Sequence, residues 1–244
     1  MDQLLVDRGL VESREKAKAL VIAGQVLVDG QKGEKPGHTV LADCRIEVLE
    51  RMPYVSRGGY KLAAALDQFR IPVPGRVCLD VGASTGGFTD CLLQRGAAKV
   101  WAIDVGHGQF DWKLRNDPRV EVREGMNARY LEPARFPKPF DLAVCDASFI
   151  SATLLVPAIA PLLKTDGEMV ILVKPQFEAG RGEIGKGGIV RDPEIQQAAC
   201  DRVRSAVEML GFHTDIMESP ILGAEGNREF LLYARRIHTG ASDH

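Results

Sequence analysis

Short apolar runs alternate with segments of helical spacing over much of this chain, and this alternation limits the folds available to it. Short runs bounded by turn signals are typical of strands buried on both faces. The pattern predicts the α/β class, with a mostly parallel, Rossmann-like sheet covered by helices on both sides. The runs lie at Val77–Val81, Val100–Val105, Val120–Arg123, Asp141–Cys145 and Met169–Val173.

The last part of the chain departs from this alternation. A helix is predicted over Ala152–Lys164 and another over Pro193–Leu210. The runs Thr214–Glu218 and Phe230–Ala234 then follow with no helical segment between them. Strands joined without a crossover helix pair antiparallel, so we expect the sheet to end with an antiparallel strand.

Residues 1–50 predict a separate, small α/β module. Ser13 is placed to cap its second helix, and Asp29-Gly30 is typical of a tight turn between strands. Residues 51–59 are expected to form a linker, and residues 60–244 the large domain. The elements expected in the module are helices at Asp2–Arg8 and Arg14–Ala23 and strands at Gln25–Val28 and Arg45–Leu49.

The composition disfavours several classes of protein. The net charge is −2 and the pI about 6.2, so any nucleic-acid site must be local. The five cysteines show no Cys-x-x-Cys spacing, which argues against a zinc site, and we expect Cys78, Cys91 and Cys145 to be buried. No apolar run approaches the ~20 residues of a membrane span, and the acidic N-terminus differs from a signal peptide. These features predict a cytoplasmic protein without a metal site or a membrane partner.

A glycine-rich loop follows the first of the apolar runs. In Asp80-Val81-Gly82-Ala83-Ser84-Thr85-Gly86-Gly87-Phe88, small residues stand where a backbone can approach a ligand closely. A phosphate-binding loop would need lysine where Phe88 stands, and a dinucleotide loop would need glycine where Ser84 stands. Asp80 can instead meet an ammonium group, which suits a nucleoside that carries an amino acid.

An acidic residue at the end of the second strand supports a nucleoside site. Asp104 lies 22 residues beyond Gly82, and a carboxylate there can accept hydrogen bonds from both hydroxyls of a ribose. This feature fits an adenosine-containing cofactor but does not separate a nicotinamide dinucleotide from S-adenosylmethionine. The residues expected to contact the cofactor are Asp80, Gly82, Ala83, Ser84, Gly86, Gly87, Phe88, Asp104, Asn127 and Asp146.

Four charged residues stand at positions where ligands bind in parallel sheets. Lys61 lies at the entrance of the large domain, and Asp146 and Lys174 end the fourth and fifth strands. Glu229 opens the last strand. Because parallel strands end at one edge, where an antiparallel strand begins, these side chains are expected to converge. A partly desolvated lysine that carboxylates hold in place can remove a proton from an alcohol.

Two kinds of methyl-transfer chemistry have sequence marks that this chain lacks. Methylation of amines often uses Asn/Asp-Pro-Pro-Tyr/Phe after the fourth strand, where this chain has Asp146-Ala147-Ser148-Phe149. Methylation of pyrimidine carbons needs a cysteine nucleophile, and strand alternation turns Cys145 away from Asp146. Of the three kinds of methyl transfer, methylation of an oxygen is the one whose requirements this sequence does not contradict.

Taken together, these motifs resemble the TlyA family, the hemolysin-like ribosomal RNA 2′-O-methyltransferases, which are relatives of the FtsJ ribose methyltransferases. The resemblance covers nearly the whole chain. It implies S-adenosylmethionine as the cofactor and a catalytic tetrad at Lys61, Asp146, Lys174 and Glu229. The segments that carry it in the large domain are 56–62, Asp80–Gly87, 114–120, Asp146, Lys174–Glu178 and Gly226–Glu229.

The resemblance also implies a substrate. Residues 1–50 are similar to the RNA-binding domain of ribosomal protein S4, and we expect RNA contacts at Arg8, Arg14, Lys18 and Arg57. The family's substrates are cytidine riboses in large-subunit rRNA and, for longer members, also in small-subunit rRNA. We expect the protein to be without the terminal extensions of the longer members, which disfavours small-subunit rRNA, so large-subunit rRNA, free or within a ribosomal subunit, is the expected partner.

Three other functions fit parts of the sequence. A pore-forming cytolysin, which the family name suggests, would need a membrane-active segment, and the helix predicted after Asp146 is too short to span a bilayer. A non-catalytic RNA-binding protein would show an eroded loop and tetrad, and both are intact. A nicotinamide dehydrogenase would be separated from a methyltransferase by calorimetry of cofactor binding.

Overall fold

The structure is a computed structural model that describes residues 1–22, 25–33, 35–48, 52–180, 182–185, 187–223 and 226–237. The chain divides into two compact units, Met1–Pro53 and Tyr54–His244. The division falls inside the segment 51–59 that the sequence predicts as a linker. Each unit has hydrophobic residues buried in a core of its own.

The N-terminal unit combines two helices with a three-stranded antiparallel sheet of order β2-β1-β3. Ser13 Oγ accepts a hydrogen bond from the Lys16 amide at 3.2 Å, so Ser13 caps the second helix as predicted. The sequence does not predict the short strand β2, and the predicted ends Ala23 and Leu49 lie outside the described residues. The elements are α1 (Asp2–Asp7), α2 (Arg14–Ile22), β1 (Val26–Val28), β2 (Gln31–Lys32) and β3 (Ile46–Val48).

The second unit is built on a seven-stranded sheet of order β6-β5-β4-β7-β8-β10-β9. The pairs among β4 to β8 are parallel, whereas β10 runs antiparallel between β8 and β9. The predicted fold class, with its antiparallel ending, is confirmed. The strands are β4 (Val77–Val81), β5 (Lys99–Ile103), β6 (Val120–Arg123), β7 (Phe140–Cys145), β8 (Leu163–Val173), β9 (Phe212–Glu218) and β10 (Phe230–Arg236).

Helices cover both faces of this sheet. Alternation along a strand sends successive side chains to opposite faces, so Leu79 and Val81 join one core while Cys78 joins the other. All five cysteines are buried and free, and burial raises the pKa of the Cys78, Cys91 and Cys145 thiols to about 12. The helices are α3 (Gly58–Gln68), α4 (Gly87–Gln94), α5 (Trp112–Arg115), α6 (Val156–Ile159), α7 (Pro175–Glu178) and α8 (Pro193–Glu208).

The prediction of one helix over Ala152–Lys164 is wrong. The segment consists of the short helix α6 with one 3₁₀ turn before it and one after it, and β8 already begins at Leu163. Pro157 and Pro161 account for the difference, because a proline lacks the N–H donor and its ring clashes with the preceding turn of a continuous helix. The sequence also does not predict α3, the helix that carries Lys61.

Candidate active site

A cavity of about 530 Å³ opens at the carboxyl ends of the parallel strands. Strand β4 pairs with β5 on one side and with β7 on the other, so the strand order reverses at this point. Ligands bind at such switch points in open α/β sheets. Of the residues predicted to contact a cofactor, those that line the cavity are Gly82, Ser84, Asp104, Asn127 and Asp146.

The glycine-rich loop passes close to the end of β7. Gly82 has a φ of +79°, and a Cβ at this position would lie 2.7 Å from the backbone oxygen of Asp146. Gly86, at the N-cap of α4, has a φ of +100°. A larger residue at position 82 would push the loop away from Asp146, so glycine keeps the cavity walls in place.

Asp104 fastens the loop after β5 to the loop after β4. Its Oδ2 accepts a hydrogen bond from the Ser84 amide at 2.8 Å, and its Oδ1 accepts one from the Gly106 amide at 2.7 Å. Each carboxylate oxygen has a second lone pair, so Asp104 can still accept from a ligand hydroxyl in the cavity. Asn127, an exposed residue of the cavity lining, accepts a hydrogen bond from the Arg129 amide at 3.0 Å.

Asp80 does not reach the cavity. Its side chain is fully buried, and its Oδ2 accepts a hydrogen bond from Thr89 Oγ1 at 2.6 Å. Burial raises the pKa of Asp80 to about 7. Ala83, Gly86, Gly87 and Phe88 are also absent from the cavity wall, so any effect of these five residues on a ligand would pass through the loop backbone.

The four predicted catalytic residues form two ion pairs at the same edge of the sheet. Lys61, in the first turn of α3, pairs with Glu229, and both side chains are buried. Lys174 Nζ lies 2.6 Å from Asp146 Oδ1, and it donates a hydrogen bond to Ser148 Oγ at 2.7 Å.

Strand pairing explains why residues so distant in sequence share this edge. Phe230, the first residue of β10, pairs with Val173, the last residue of β8. Glu229 therefore precedes one strand where Lys174 follows the other.

Two buried polar residues near these pairs are not predicted from the sequence. Glu178, at the end of α7, accepts hydrogen bonds from the loop that follows β7. Asn227 accepts one from the Val190 amide at 3.0 Å and donates one to the Gly188 oxygen at 3.1 Å. The hydrogen-bond partners of Glu178 and of Asn227 lie more than 25 residues away from them in sequence, so local pattern does not reveal these contacts. The one sequence signal for Glu178 and Asn227 is that both lie in segments that resemble the family.

The residues predicted to bind RNA have different surroundings. Arg8 donates a hydrogen bond to the Cys44 oxygen at 2.7 Å, and Arg14 Nε lies 2.8 Å from Asp2 Oδ2. Lys18 is exposed on α2. In the second unit, Arg57 donates to the Leu222 oxygen at 2.7 Å.

The part of the chain that the structure describes contains no group of three or more residues arranged to hold a metal ion. None of its helices combines the length and the apolar character that crossing a bilayer requires.

The sheet order, the glycine-rich loop after β4 and the acidic residue after β5 define a Rossmann-like methyltransferase fold. Residues 54–236 match the FtsJ-like methyltransferase family, and residues 1–45 match the S4 domain. The chain belongs to the TlyA family of FtsJ-like methyltransferases, as its motifs predict.

Several relatives cover nearly all of the chain. The 16S/23S rRNA (cytidine-2′-O)-methyltransferase TlyA of Mycobacterium tuberculosis is 46% identical, over 96% of this chain and 89% of the relative. The 23S rRNA (cytidine-2′-O)-methyltransferase TlyA of Campylobacter jejuni is 31% identical, over 93% of this chain and 96% of the relative. The solved structure of a hemolysin-named protein from Streptococcus thermophilus superposes with a TM-score of 0.76 at 44% identity, covering 97% of this chain and 88% of that one.

Proposed function

We propose that this protein transfers a methyl group from S-adenosylmethionine to the 2′-hydroxyl of a cytidine ribose in large-subunit ribosomal RNA. The observation that carries the proposal is the presence of two ion pairs at one edge of the sheet: Lys61–Glu229, which is buried, and Lys174–Asp146, whose carboxylate lines the cavity. The two curated relatives described above are cytidine-2′-O-methyltransferases by name, and both names include 23S rRNA. A protein with this substrate would work in the cytoplasm.

The cavity fits the proposed cofactor. Its volume of about 530 Å³ lies in the ~300–1,000 Å³ range of small-molecule sites. Asp104 would accept hydrogen bonds from the ribose hydroxyls, while Gly82 and Ser84 allow close approach of the backbone. Asn127 offers a side-chain amide elsewhere in the cavity lining. When bound, S-adenosylmethionine supplies a methyl group on a positively charged sulfur, which an oxygen nucleophile can attack.

Lys174 is placed to act as the general base. Its Nζ donates a hydrogen bond to Ser148 Oγ at 2.7 Å and lies at ion-pair distance, 2.6 Å, from Asp146 Oδ1. Ser148 and Asp146 would hold the amine in place while its lone pair takes up the proton of the 2′-hydroxyl. Asp146 also lines the cavity, so one carboxylate links the base to the cofactor wall.

Lys61 has a different part in this proposal. Glu229 holds its ammonium group in a buried position, so Lys61 can present a fixed positive charge. Such a charge stabilises the negative charge that develops on the 2′-oxygen as its proton leaves. Positioning of the two reactants supplies much of the rate, because the sulfonium is already a reactive donor.

Transfer of a labelled methyl group to purified large ribosomal subunits and to free 23S rRNA tests the proposal. We expect one cytidine to gain a 2′-O-methyl group, which makes the adjacent phosphodiester resistant to alkali. We expect Lys174→Ala to abolish the label. Label on a base, on protein or on no rRNA would refute the proposal, and the last result would favour a non-catalytic RNA-binding role.

A further inference from the structure

Glu178 is a buried acid that the proposed mechanism does not use. Its side chain lies at the end of α7 and is 5% exposed. Its Oε2 accepts a hydrogen bond from Ser151 Oγ at 2.5 Å, and its Oε1 accepts one from the Ala152 amide at 2.6 Å. Arg202 donates to the backbone oxygen of Glu178 and so secures the end of α7 on helix α8.

Both partners of the Glu178 carboxylate belong to residues 146–152, here called the Asp146 loop. Lys174, the N-cap of α7, contacts the start of this loop through Asp146 and Ser148. Glu178, at the other end of the same helical turn, contacts its end. One short helix therefore holds the Asp146 loop at both ends.

The middle of the Asp146 loop has a conformation that needs such support. Phe149 has a φ of +65°, which is unfavourable for a residue with a side chain, and its side chain is 90% exposed. Its ring centroid lies 5.3 Å from that of Phe177, the residue before Glu178. Backbone of this kind persists only where surrounding contacts over-determine it.

We propose that Glu178 is a positioning residue for methyl transfer: by holding Ser151 and Ala152, it fixes Ser148 and Asp146 in the geometry that directs Lys174. This inference rests on the proposed function. A displacement of about 1 Å at a reacting group can cost ~10²-fold in rate. Loss of the Glu178 carboxylate would also leave the Ala152 amide without its acceptor and would remove one of the two side-chain partners of the Ser151 hydroxyl, the other being Thr153.

Substitutions on both sides of the contact test the inference. Glu178→Ala removes both acceptors, and we expect a ~10–100-fold fall in the single-turnover rate at saturating cofactor. Glu178→Gln keeps an oxygen that can accept from the Ala152 amide, and its new NH2 group can donate to the Ser151 hydroxyl oxygen. Its rate should therefore stay within about threefold of wild type. Ser151→Ala should have an intermediate effect, and adding it to Glu178→Ala should cost little more because the shared contact is already lost.

A matched control separates positioning from stability. Glu168 is another shielded acid, in the middle of β8, where Arg76 and Tyr233 donate to its carboxylate. Glu168→Ala should lower the melting temperature and leave the single-turnover rate of the folded protein unchanged. A Glu178→Ala rate within about threefold of wild type, with only a lower melting temperature, would overturn the inference.

A measurement without methyl transfer keeps the inference apart from the proposed function. With 4-fluorophenylalanine incorporated at Phe149, fluorine NMR should give one narrow resonance in the wild type and in Glu178→Gln. We expect a shifted or broadened resonance in Glu178→Ala and Ser151→Ala. Identical spectra in all four proteins would overturn the inference. If instead the wild type transferred no methyl to rRNA while the spectra differed as expected, the proposed function would fail and the control of the loop by Glu178 would stand.

Discussion

Lys174 Nζ lies 2.6 Å from Asp146 Oδ1, so an ion pair joins the residues that follow two neighbouring parallel strands, β7 and β8. A second ion pair, between Lys164 and Asp141 at 2.5 Å, joins the same strands near their other ends. Only the first pair includes a residue of the cavity wall. The protein therefore contains a candidate catalytic pair and a structurally comparable pair distant from the site.

The first prediction concerns the proton acceptor. Arginine keeps the positive charge of Lys174 but does not give up its proton. Lys174→Arg should bind S-adenosylmethionine with an affinity within about threefold of wild type and lose ~10²–10⁴-fold in methyl transfer, the usual cost of removing a general base. Calorimetry measures the affinity, and a single-turnover assay with large ribosomal subunits measures the rate.

The pair at the other end of the strands provides the control for this prediction. Lys164 is 42% exposed, and Lys164→Arg makes the same chemical change without reaching the cavity. Its rate should equal that of the wild type. If Lys174→Arg transferred methyl at the wild-type rate, Lys174 would be excluded as the general base. The assignment of the chain to its family would not be affected.

The second prediction concerns cofactor affinity. Asp104→Ala removes the proposed acceptor of the ribose hydroxyls and releases the Ser84 and Gly106 amides that Asp104 holds. Loss of hydrogen bonds to a charged acceptor should weaken S-adenosylmethionine binding by ~1.5–3 kcal/mol. Calorimetry with Asp111→Ala, which removes a helix cap outside the cavity, gives the comparison. Equal affinities for the two variants would remove Asp104 from the site.

The sequence predicts features that depend on local pattern. The apolar runs predict the parallel strands, and the spacing from Gly82 to Asp104 places both residues on one cavity wall, because each follows a parallel strand. The antiparallel last strand follows from the missing helix before Phe230. The same kind of pattern predicts one continuous helix after Asp146, which is wrong. The helical spacing of apolar residues continues through Pro157 and Pro161, although the prolines interrupt the helix itself.

Other parts of the site depend on tertiary contacts that a pattern cannot contain. Which lysine pairs with which carboxylate is decided by the packing of α3 against the start of β10, as in the Lys61–Glu229 pair. The roles of Glu178 and Asn227 depend on partners in distant loops. The sequence places Asp80 beside a cofactor, whereas the fold buries its carboxylate behind the loop.

The third prediction concerns Asp80 and the pH dependence of stability. Burial raises the pKa of Asp80 to about 7 in the folded protein, against about 3.9 in an unfolded chain. Between these values the folded state holds a proton that the unfolded state has released, so stability falls as the pH rises from about 4 to about 7. Asp80→Asn cannot ionise, so its free energy of unfolding relative to wild type should increase across this window, by a few kcal/mol at most.

Urea unfolding of both proteins at several pH values between 4.5 and 8 checks this prediction. Asp67→Asn serves as the control, because Asp67 is exposed and its pKa is lowered by the Arg95 hydrogen bond. The Asp67 variant should show no such gain relative to wild type with rising pH. A difference between Asp80→Asn and wild type that stays constant with pH would show that Asp80 is ionised throughout.

The last prediction concerns the face of α2 that we expect to contact RNA. Lys18 is exposed on α2, whereas Arg14 on the same face is paired with Asp2, a side chain that is 4% exposed. Arg14→Ala would thus disturb the domain itself, and Lys18→Ala is the cleaner test. Loss of one phosphate contact should weaken rRNA binding several-fold at low salt and reduce the slope of log affinity against log salt by about 1.

Lys16 gives a matched control for Lys18. The two residues are two positions apart on α2 and so point to different sides of the helix, and Lys16 pairs with Glu12 at 3.2 Å. Lys16→Ala should leave rRNA affinity unchanged, and both variants should bind S-adenosylmethionine as the wild type does, because the change lies outside the methyltransferase unit. Filter binding at a series of salt concentrations gives both the affinity and the slope. Equal salt slopes for Lys18→Ala and wild type would mean that RNA does not contact this face of α2.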